Sequence, residues 1–194
     1  MEGEVCSTCG RTTASYQGIG YGSQAEEYRL LCYRCYNLEA AKLDGLDKFE
    51  HLDFDPVRLV DCAGESHEFH FRTRLFGPGI AMDAFELRDD HPAGYKFQII
   101  GDPNDDLMAL LGRLVEKIRR AISVKHLTAS DFGTQLADHR IVRGRIEWDA
   151  DQNGHIPLVV IDGREFTWDE FGHMLMSCEG WQFKLEIRDP SDDL

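Results

Sequence analysis

The sequence predicts an α+β fold in two parts, in which a small N-terminal module precedes a larger domain with a mostly antiparallel sheet and two helices on one face. Three observations support this prediction. Two Cys-x-x-Cys pairs stand near the N-terminus, four short runs with strand-type alternation follow, and a later stretch repeats its apolar residues at helical spacing. We place the N-terminal module at residues 1–50 and the larger domain at residues 56–194.

Four cysteines form the strongest signal in the chain. Cys6 and Cys9 are separated by two residues, Cys32 and Cys35 likewise, and 22 residues lie between the two pairs. Each pair directs two thiolates at one ion and four thiolates complete a tetrahedron, so the spacing predicts one structural Zn²⁺. Because four cysteines close the coordination sphere, a catalytic zinc with an open position is not expected. Two redox-active dithiols are the alternative.

The residues around the cysteines resemble two known kinds of zinc module. Cys6-Ser-Thr-Cys-Gly and Leu31-Cys-Tyr-Arg-Cys-Tyr-Asn-Leu resemble GATA-type fingers and, more loosely, the N-terminal zinc domain of the bacterial unfoldase ClpX, over residues 1–45. The resemblance implies a treble-clef fold, in which a knuckle and a hairpin precede a helix whose first turn supplies two metal ligands. It also implies a structural metal, with DNA binding in the GATA type and dimerisation and adaptor contacts in the ClpX type. Only the four cysteines are carried over, and the larger domain resembles no family through its motifs.

The segment after the second cysteine pair is predicted to be a helix, and its acidic composition disfavours DNA binding. We expect a helix over Leu38–Asp55 that ends in a linker containing Gly45 and Pro56. Glu39, Asp44 and Asp47 outnumber its two lysines, and this departs from the GATA pattern. An acidic helix is poorly suited to a phosphate backbone.

Four candidate strands follow the linker. Apolar and polar residues alternate over Val57–Cys62, Glu68–Leu75, Ile80–Leu87 and Tyr95–Ile100. Turn-forming residues such as Gly64 separate these runs. Short loops between strands favour an antiparallel meander.

A strong helix is predicted after the fourth strand. Asp102 is suited to cap its N-terminus, and Pro103 suits the first helical position. Apolar residues then recur at spacings of three and four, which predicts a stripe that packs on one face of the sheet. This stripe comprises Leu107, Leu110, Leu111, Leu114, Val115, Ile118, Ala121 and Ile122.

A hairpin, a helix and a last strand are predicted for the C-terminal part. The hairpin joins Ile141–Trp148 to Ile156–Ile161 around an Asn-Gly dipeptide, the commonest sequence for a tight turn. Thr167 and Glu170 have the spacing of a capping box and predict the start of the helix. The final alternating run, Trp181–Ile187, is predicted to be a strand.

Composition and charge limit the classes of function. The chain has 35 acidic and 21 basic residues, a net charge of −14, so it repels phosphate backbones within a Debye length of about 10 Å. Nucleic-acid binding is therefore disfavoured. No stretch approaches the roughly 20 apolar residues that cross a bilayer, and no secretion signal precedes the first cysteine pair. Cysteines that bind a metal must stay reduced, as they do in the cytoplasm. Together these features predict a cytoplasmic protein that makes no membrane contact.

Basic residues on two predicted strands are the best candidates for a small-ligand site. Strand alternation places His70, Arg72 and Arg74 on one face, where they could hold a phosphate or a carboxylate. Arg143 and Arg145 on a later strand could extend this strip. A solvated sheet face is the alternative, because antiparallel sheets commonly leave one face in water.

The two remaining cysteines are predicted to be structural. Cys62 lies in a candidate strand and Cys178 on the apolar side of a candidate helix. Isolated cysteines in such positions most often serve as small buried hydrophobes.

Three functions remain open. The closed metal site, the acidic balance and the lack of a catalytic motif favour a non-enzymatic interaction or adaptor protein with a protein partner, and a homo-oligomer is compatible with this role. The first alternative is a nucleic-acid-associated regulatory protein that uses the finger and the arginine strip. The second is an enzyme or ligand-binding protein with its site on the larger domain's sheet.

Overall fold

The computed structural model describes residues 4–22, 28–77, 79–131 and 133–192. The first part of the chain contains β1 (Glu4–Val5), β2 (Thr12–Thr13), β3 (Gly18–Tyr21), β4 (Arg29–Cys32) and α1 (Tyr33–Leu43). The middle part contains β5 (Val57–Val60), β6 (Ser66–Phe76), β7 (Gly79–Arg88), β8 (His91–Gly101) and α2 (Leu107–Ile122). The last part contains β9 (Leu127–Ser130), β10 (Gly133–Leu136), β11 (Gly144–Glu147), β12 (Leu158–Ile161), β13 (Arg164–Phe166) and α3 (Trp168–Leu175).

The largest sheet is the predicted antiparallel meander, with strand order β5-β6-β7-β8. Its inward face carries fully buried side chains on neighbouring strands, with Leu75 opposite Ile80 and Thr73 opposite Met82. Burial of an apolar side chain of this size contributes about 1.5–3 kcal/mol. The mostly antiparallel α+β fold is confirmed.

Helix α2 covers this face with the predicted stripe, but a different residue caps it. Asp106, not Asp102, is the N-cap, and its Oδ1 accepts the N–H of Met108 at 2.8 Å. Asp102 instead accepts the N–H of Asn104 at 2.8 Å, within the turn that precedes the helix. The prediction of Asp102 as the cap was therefore wrong, because the five residues 102–106 separate β8 from the first helical residue.

Helix α1 is the second helix that contributes to this core. Its Ala41 belongs to the same buried cluster as the side chains of the sheet and of α2. Helix α3 packs in a separate cluster with β12 and β13 that includes Phe166 and Met174. The sequence predicts α3 as the second helix of the sheet, and this assignment was wrong.

Helix α1 is also shorter than predicted and ends at Leu43 rather than at Asp55. Gly45 follows with a φ of +70°, a conformation that glycine adopts without steric cost. The N–H groups of Asp44 and Leu46 donate to the carbonyls of the last helical turn, at 3.0 and 2.8 Å. This is the hydrogen-bond pattern that commonly terminates helices.

Asn37 joins α1 to the edge of β6. Its Nδ2 donates to the carbonyl of Thr73 at 2.8 Å, and its Oδ1 accepts the N–H of Leu75 at 2.9 Å. Strand β5 pairs only with the Ser66–Phe69 part of that edge. The Asn37 side chain is fully buried, so it replaces a neighbouring strand for two backbone groups that water does not reach.

The C-terminal part contains the predicted hairpin within a larger sheet, β11-β12-β13. The loop between β11 and β12 spans residues 148–157, so the Asn-Gly dipeptide lies inside a long loop rather than forming the whole turn. A tight Asp162-Gly163 turn, with φ values of +50° and +73°, leads into β13, which was not predicted. The capping box at the start of α3 is confirmed. Among the described residues, no helix is both long and apolar enough to cross a membrane.

The predicted last strand, Trp181–Ile187, was wrong. This segment belongs to none of the sheets formed by the described residues. Alternation of apolar residues indicates that a segment can form a strand. A strand also needs the edge of a neighbouring strand with which its backbone can form hydrogen bonds.

We predict that Asn37→Ala destabilises the whole protein. The substitution leaves the carbonyl of Thr73 and the N–H of Leu75 buried without partners, at about 1–3 kcal/mol for each group. Denaturant unfolding should therefore show a loss of about 2–5 kcal/mol. Asn104→Ala, at an exposed turn residue, is the matched control and should change stability little. Equal effects of the two substitutions would contradict this role of Asn37.

Candidate metal centre

The four N-terminal cysteines converge on one point. Their sulfur atoms lie 3.6–3.9 Å apart. Metal–sulfur bonds of about 2.3 Å in a tetrahedron require sulfur–sulfur edges of about 3.8 Å. These distances are too long for disulfides, whose sulfurs lie about 2.05 Å apart. The four thiols could therefore hold one metal ion.

Local backbone structure positions the first pair. The N–H of Cys6 donates to the carbonyl of Arg11 at 3.0 Å, and the N–H of Gly10 donates to the carbonyl of Cys6 at 2.9 Å. Gly10 has a φ of +69°, which closes the turn after Cys9. The N–H of Ser7 donates to Leu30 at 2.9 Å and fixes this turn against β4.

The second pair is held by a strand end and a helix start. Cys32 is the last residue of β4 and the N-cap of α1, and Cys35 lies in the first helical turn. A helix N-terminus presents N–H groups and a positive dipole end, both of which favour thiolates. The metal site therefore fixes where α1 begins and how it leaves β4.

The ionisation of the thiols differs within the cluster. Burial opposes ionisation of Cys6, but N–H groups of Cys32, Cys9 and Thr8 donate to its sulfur and lower its pKa to about 6. Burial raises the pKa of Cys35, and the neighbouring sulfurs raise it further. Ionisation of one thiol therefore disfavours ionisation of the others. A bound cation would remove this effect, because it stabilises all four thiolates at once.

The predicted ligand residues on β6 make contacts within the protein. Arg72 Nε donates to Asp83 Oδ2 at 3.0 Å, and its guanidinium lies over the rings of Tyr33 and Phe85. His70 stacks on Phe85 with the ring centroids 6.4 Å apart. Arg74 is exposed. The charge of Arg72 is thus largely balanced by Asp83.

The predicted residues on β11 have their contacts elsewhere. Arg145 Nε donates to Glu147 Oε1 at 2.8 Å, and its Nη2 donates to the carbonyl of Gly94 at 3.1 Å. Arg143 is exposed. These contacts connect β11 to β8 and not to the arginines of β6, and ligand binding by the strip stays a prediction.

A buried polar cluster at one end of the sheet escaped the sequence analysis. Asp61, whose side chain is fully buried, accepts the N–H groups of Ala63 and Glu65 at 2.8 Å each. Its other oxygen lies 2.6 Å from Lys125 Nζ and 3.3 Å from His67 Nε2. His67 and Phe69, two positions apart on β6, are both buried on the inward face of the sheet. Lys125, the cationic partner of Asp61, stands 64 residues after it, and no local sequence pattern predicts that contact.

The same cluster extends to β7 and β8. His67 Nδ1 lies 2.8 Å from Glu86 Oε1, and Glu86 Oε2 accepts the N–H of Tyr95 at 2.8 Å. The hydroxyl of Tyr95 is buried and unpaired among the described residues, and burial raises its pKa to about 12. Oxygen and nitrogen ligands of Asp61, Glu65 and His67 lie within 4.8 Å of one another. Lys125 already supplies the positive charge at this point, so the cluster is best explained as a structural charge network.

The two remaining cysteines are less buried than predicted. Cys62 is exposed, so its side chain lies outside the core. Its N–H donates to the carbonyl of Ile122 at 3.2 Å. Cys178 is half-buried, and Arg140 Nη1 donates to its sulfur at 3.3 Å. The prediction that both are core residues was therefore wrong.

Family models match three consecutive parts of the chain. Domain of unknown function (DUF7685) matches residues 5–47, domain of unknown function (DUF7686) matches residues 50–123, and domain of unknown function (DUF7713) matches residues 126–192. No curated protein and no solved structure matches the chain. The boundaries fall after α1 and between α2 and β9, and the second one lies within the larger domain predicted over residues 56–194.

We predict that Asp61→Asn destabilises the protein in a pH-dependent manner. Burial opposes ionisation of Asp61, but Lys125 and the N–H groups of Glu65 and Ala63 hold its pKa well below the usual range. A depressed folded-state pKa adds stability above the unfolded-state pKa of about 3.9, and this contribution is lost as the pH falls further.

Denaturant unfolding near neutral pH should show a loss of about 3 kcal/mol for Asp61→Asn. The difference from the wild type should narrow as the pH falls below about 4. Asp55→Asn, at an exposed position, is the control and should show neither effect. A deficit that is independent of pH would show that the charge of Asp61 is not responsible.

Proposed function

We propose that this chain is a zinc-containing, non-enzymatic adaptor protein of the cytoplasm that binds another protein through its C-terminal part. The exposure of all three tryptophans carries this proposal. Trp148, Trp168 and Trp181 are 70%, 47% and 64% exposed. Tryptophan combines a large apolar area with few rotatable bonds, and it is enriched among the residues that dominate protein interfaces.

Other large apolar side chains are concentrated in the same part of the chain. Of the twenty that are exposed among the described residues, twelve lie within residues 124–187. Single exposed apolar residues are ordinary, but a concentration of them indicates an interaction surface. This distribution favours a partner for the C-terminal part rather than for the central sheet.

The metal of the N-terminal module is best explained as zinc in a treble-clef arrangement. Four thiolates at tetrahedral spacing are the donor set that structural zinc prefers. The turn around Cys6, the β3-β4 hairpin and the first turn of α1 occur in the order that this arrangement requires. With every ligand supplied by the protein, the ion stabilises the module and leaves no position for a substrate.

Nucleic-acid binding is less well supported than protein binding. Several arginines that could contact phosphates are paired with carboxylates. Arg29 lies 2.6 Å from Glu39 on α1, and Arg72 pairs with Asp83. With a net charge of −14, little unpaired positive charge is left for a phosphate backbone.

We expect the purified chain to carry one zinc ion per molecule, as measured by elemental mass spectrometry. Cys35→Ser should abolish stoichiometric zinc, because it removes one of four ligands and the protein rarely tolerates an incomplete structural site. Cys62→Ser, which alters an exposed cysteine outside the cluster, should retain it. A metal-free protein that forms disulfides within the cysteine pairs on mild oxidation would support the redox alternative instead.

We expect substitution of an exposed tryptophan to weaken binding of the protein partner. Wild-type protein would be used for affinity capture, and each captured candidate would be purified and titrated by calorimetry. Trp168→Ser should weaken binding by about tenfold or more, as for a residue at an interface centre. Met108→Ser, which alters an exposed apolar residue on α2, is the matched control and should not. Equal binding by both variants and the wild type would argue against the C-terminal surface.

A further inference from the structure

The segment Trp181–Ile187 alternates apolar and polar residues like a strand, but within the described part of the chain it pairs with no other strand. Its apolar side chains Trp181, Phe183, Leu185 and Ile187 are 64%, 91%, 72% and 71% exposed. An unpaired segment with this alternation is a ready template for pairing with another chain. Its solvent exposure leaves it available for such pairing.

Contacts at both ends hold this segment in place. The N–H of Trp181 donates to the carbonyl of Cys178 at 3.0 Å, and the guanidinium of Arg140 lies 5.2 Å from the centroid of the Trp181 ring. Beyond the other end, Lys117 Nζ donates to the carbonyls of Pro190 and Ser191 at 3.0 and 3.2 Å. The segment is thus fixed between the C-terminal part and α2.

The side chains of the segment divide into two faces. Lys184 Nζ lies 3.2 Å from Glu186 Oε2, and Arg188 Nε donates to Glu186 Oε1 at 2.7 Å. Contacts between residues two apart place these three charges on one face, as in an extended strand. The four apolar side chains alternate with them and therefore belong to the opposite face.

We propose that residues 181–188 pair antiparallel with the same residues of a second copy of this chain. This proposal deepens the proposed interaction role, on which it rests, by naming one partner. In the register with Leu185 on the two-fold axis, Phe183 lies opposite Ile187 of the second copy. Lys184 then lies opposite Glu186, twice in each dimer, because a two-fold axis repeats every contact.

Neighbouring registers are disfavoured by the same charges. A shift by two positions in one direction places Lys184 opposite Lys184, and a shift in the other places Glu186 opposite Glu186. Like charges directly opposite each other are destabilising. A shift by one position sets apolar side chains against polar ones. Parallel in-register pairing places each charge beside its own copy. Among the antiparallel registers within two positions of it, the register centred on Leu185 is the one that combines apolar contacts with opposite charges. The register centred on Ile187 sets Glu186 opposite Arg188, but it also places Leu185 opposite Asp189.

Charge reversal tests both the dimer and its register. The dimer of a ribbon this short is expected to form at about 1–100 µM, because two-stranded pairing alone is weak. Over that range, light scattering after size exclusion should show the mass rise from 22.1 kDa toward twice this value. Lys184→Glu and Glu186→Lys, each alone, should weaken dimerisation by about tenfold or more.

The double variant is the decisive measurement. Lys184→Glu combined with Glu186→Lys re-creates both opposite-charge pairs only in the proposed register, so it should restore dimerisation. Lys48→Glu makes the same change in net charge as Lys184→Glu, but at an exposed position outside the segment, and should leave dimerisation unchanged. A protein that stays at 22.1 kDa at about 100 µM, or a double variant that stays dissociated, would overturn the proposal.

These outcomes are distinguishable from failure of the adaptor role. A strict monomer that still binds a protein partner through Trp168 overturns the dimer and leaves the adaptor role intact. A dimer restored by the double variant, with no other protein bound, supports self-association and argues against the adaptor role. Circular dichroism of each variant should match the wild type, because the altered side chains are exposed.

Discussion

The arrangement of the N-terminal module and the central sheet depends on the hydrogen bonds of the Asn37 side chain. Asn37 stands two residues after Cys35, so the metal site determines where its amide lies. That amide satisfies two buried backbone groups of β6 that no strand reaches. Displacing α1 would leave them unpaired in the core, at a cost comparable to a large part of the stability of a small domain.

This coupling determines what a metal ion held by the four cysteines would do for the protein. Among the described residues, the core around the cysteines consists of Cys6, Leu31, Cys32 and Cys35, with three half-buried neighbours. So small a core requires a metal to fold. Because Ala41 of the same module lies in the core of the sheet, a metal ion held by the four cysteines would also support the larger domain. The first two family models meet at residues 47–50. The packing shows that this boundary does not divide the protein into two independent hydrophobic cores.

Features set by residues close in sequence were predictable, and features set by distant residues were not. Each Cys-x-x-Cys pair, the stripe of α2 and the capping box at Thr167 depend on residues two to four positions apart, so their spacing in the sequence reveals them. Asp61 and Lys125 meet only because β5 and the end of α2 pack together, and Asn37 meets β6 for a similar reason. A single sequence contains no local signal for such pairs. The end of α1 at Leu43 was locally visible, since Gly45 marks it.

The strand predicted over Trp181–Ile187 was wrong for a different reason. Its apolar and polar residues do alternate, but no adjacent strand of the described chain pairs with it. Alternation describes one chain, whereas a strand is a relation between two backbones. A segment selected for pairing with another molecule carries the same alternation as one that pairs within its own sheet, but it remains exposed when the chain is alone. Alternation alone does not specify a partner. The positive Lys184 and the negative Glu186 stand on either side of Leu185, so two copies paired antiparallel about Leu185 bring opposite charges together. A second copy would therefore supply the edge that the described chain does not.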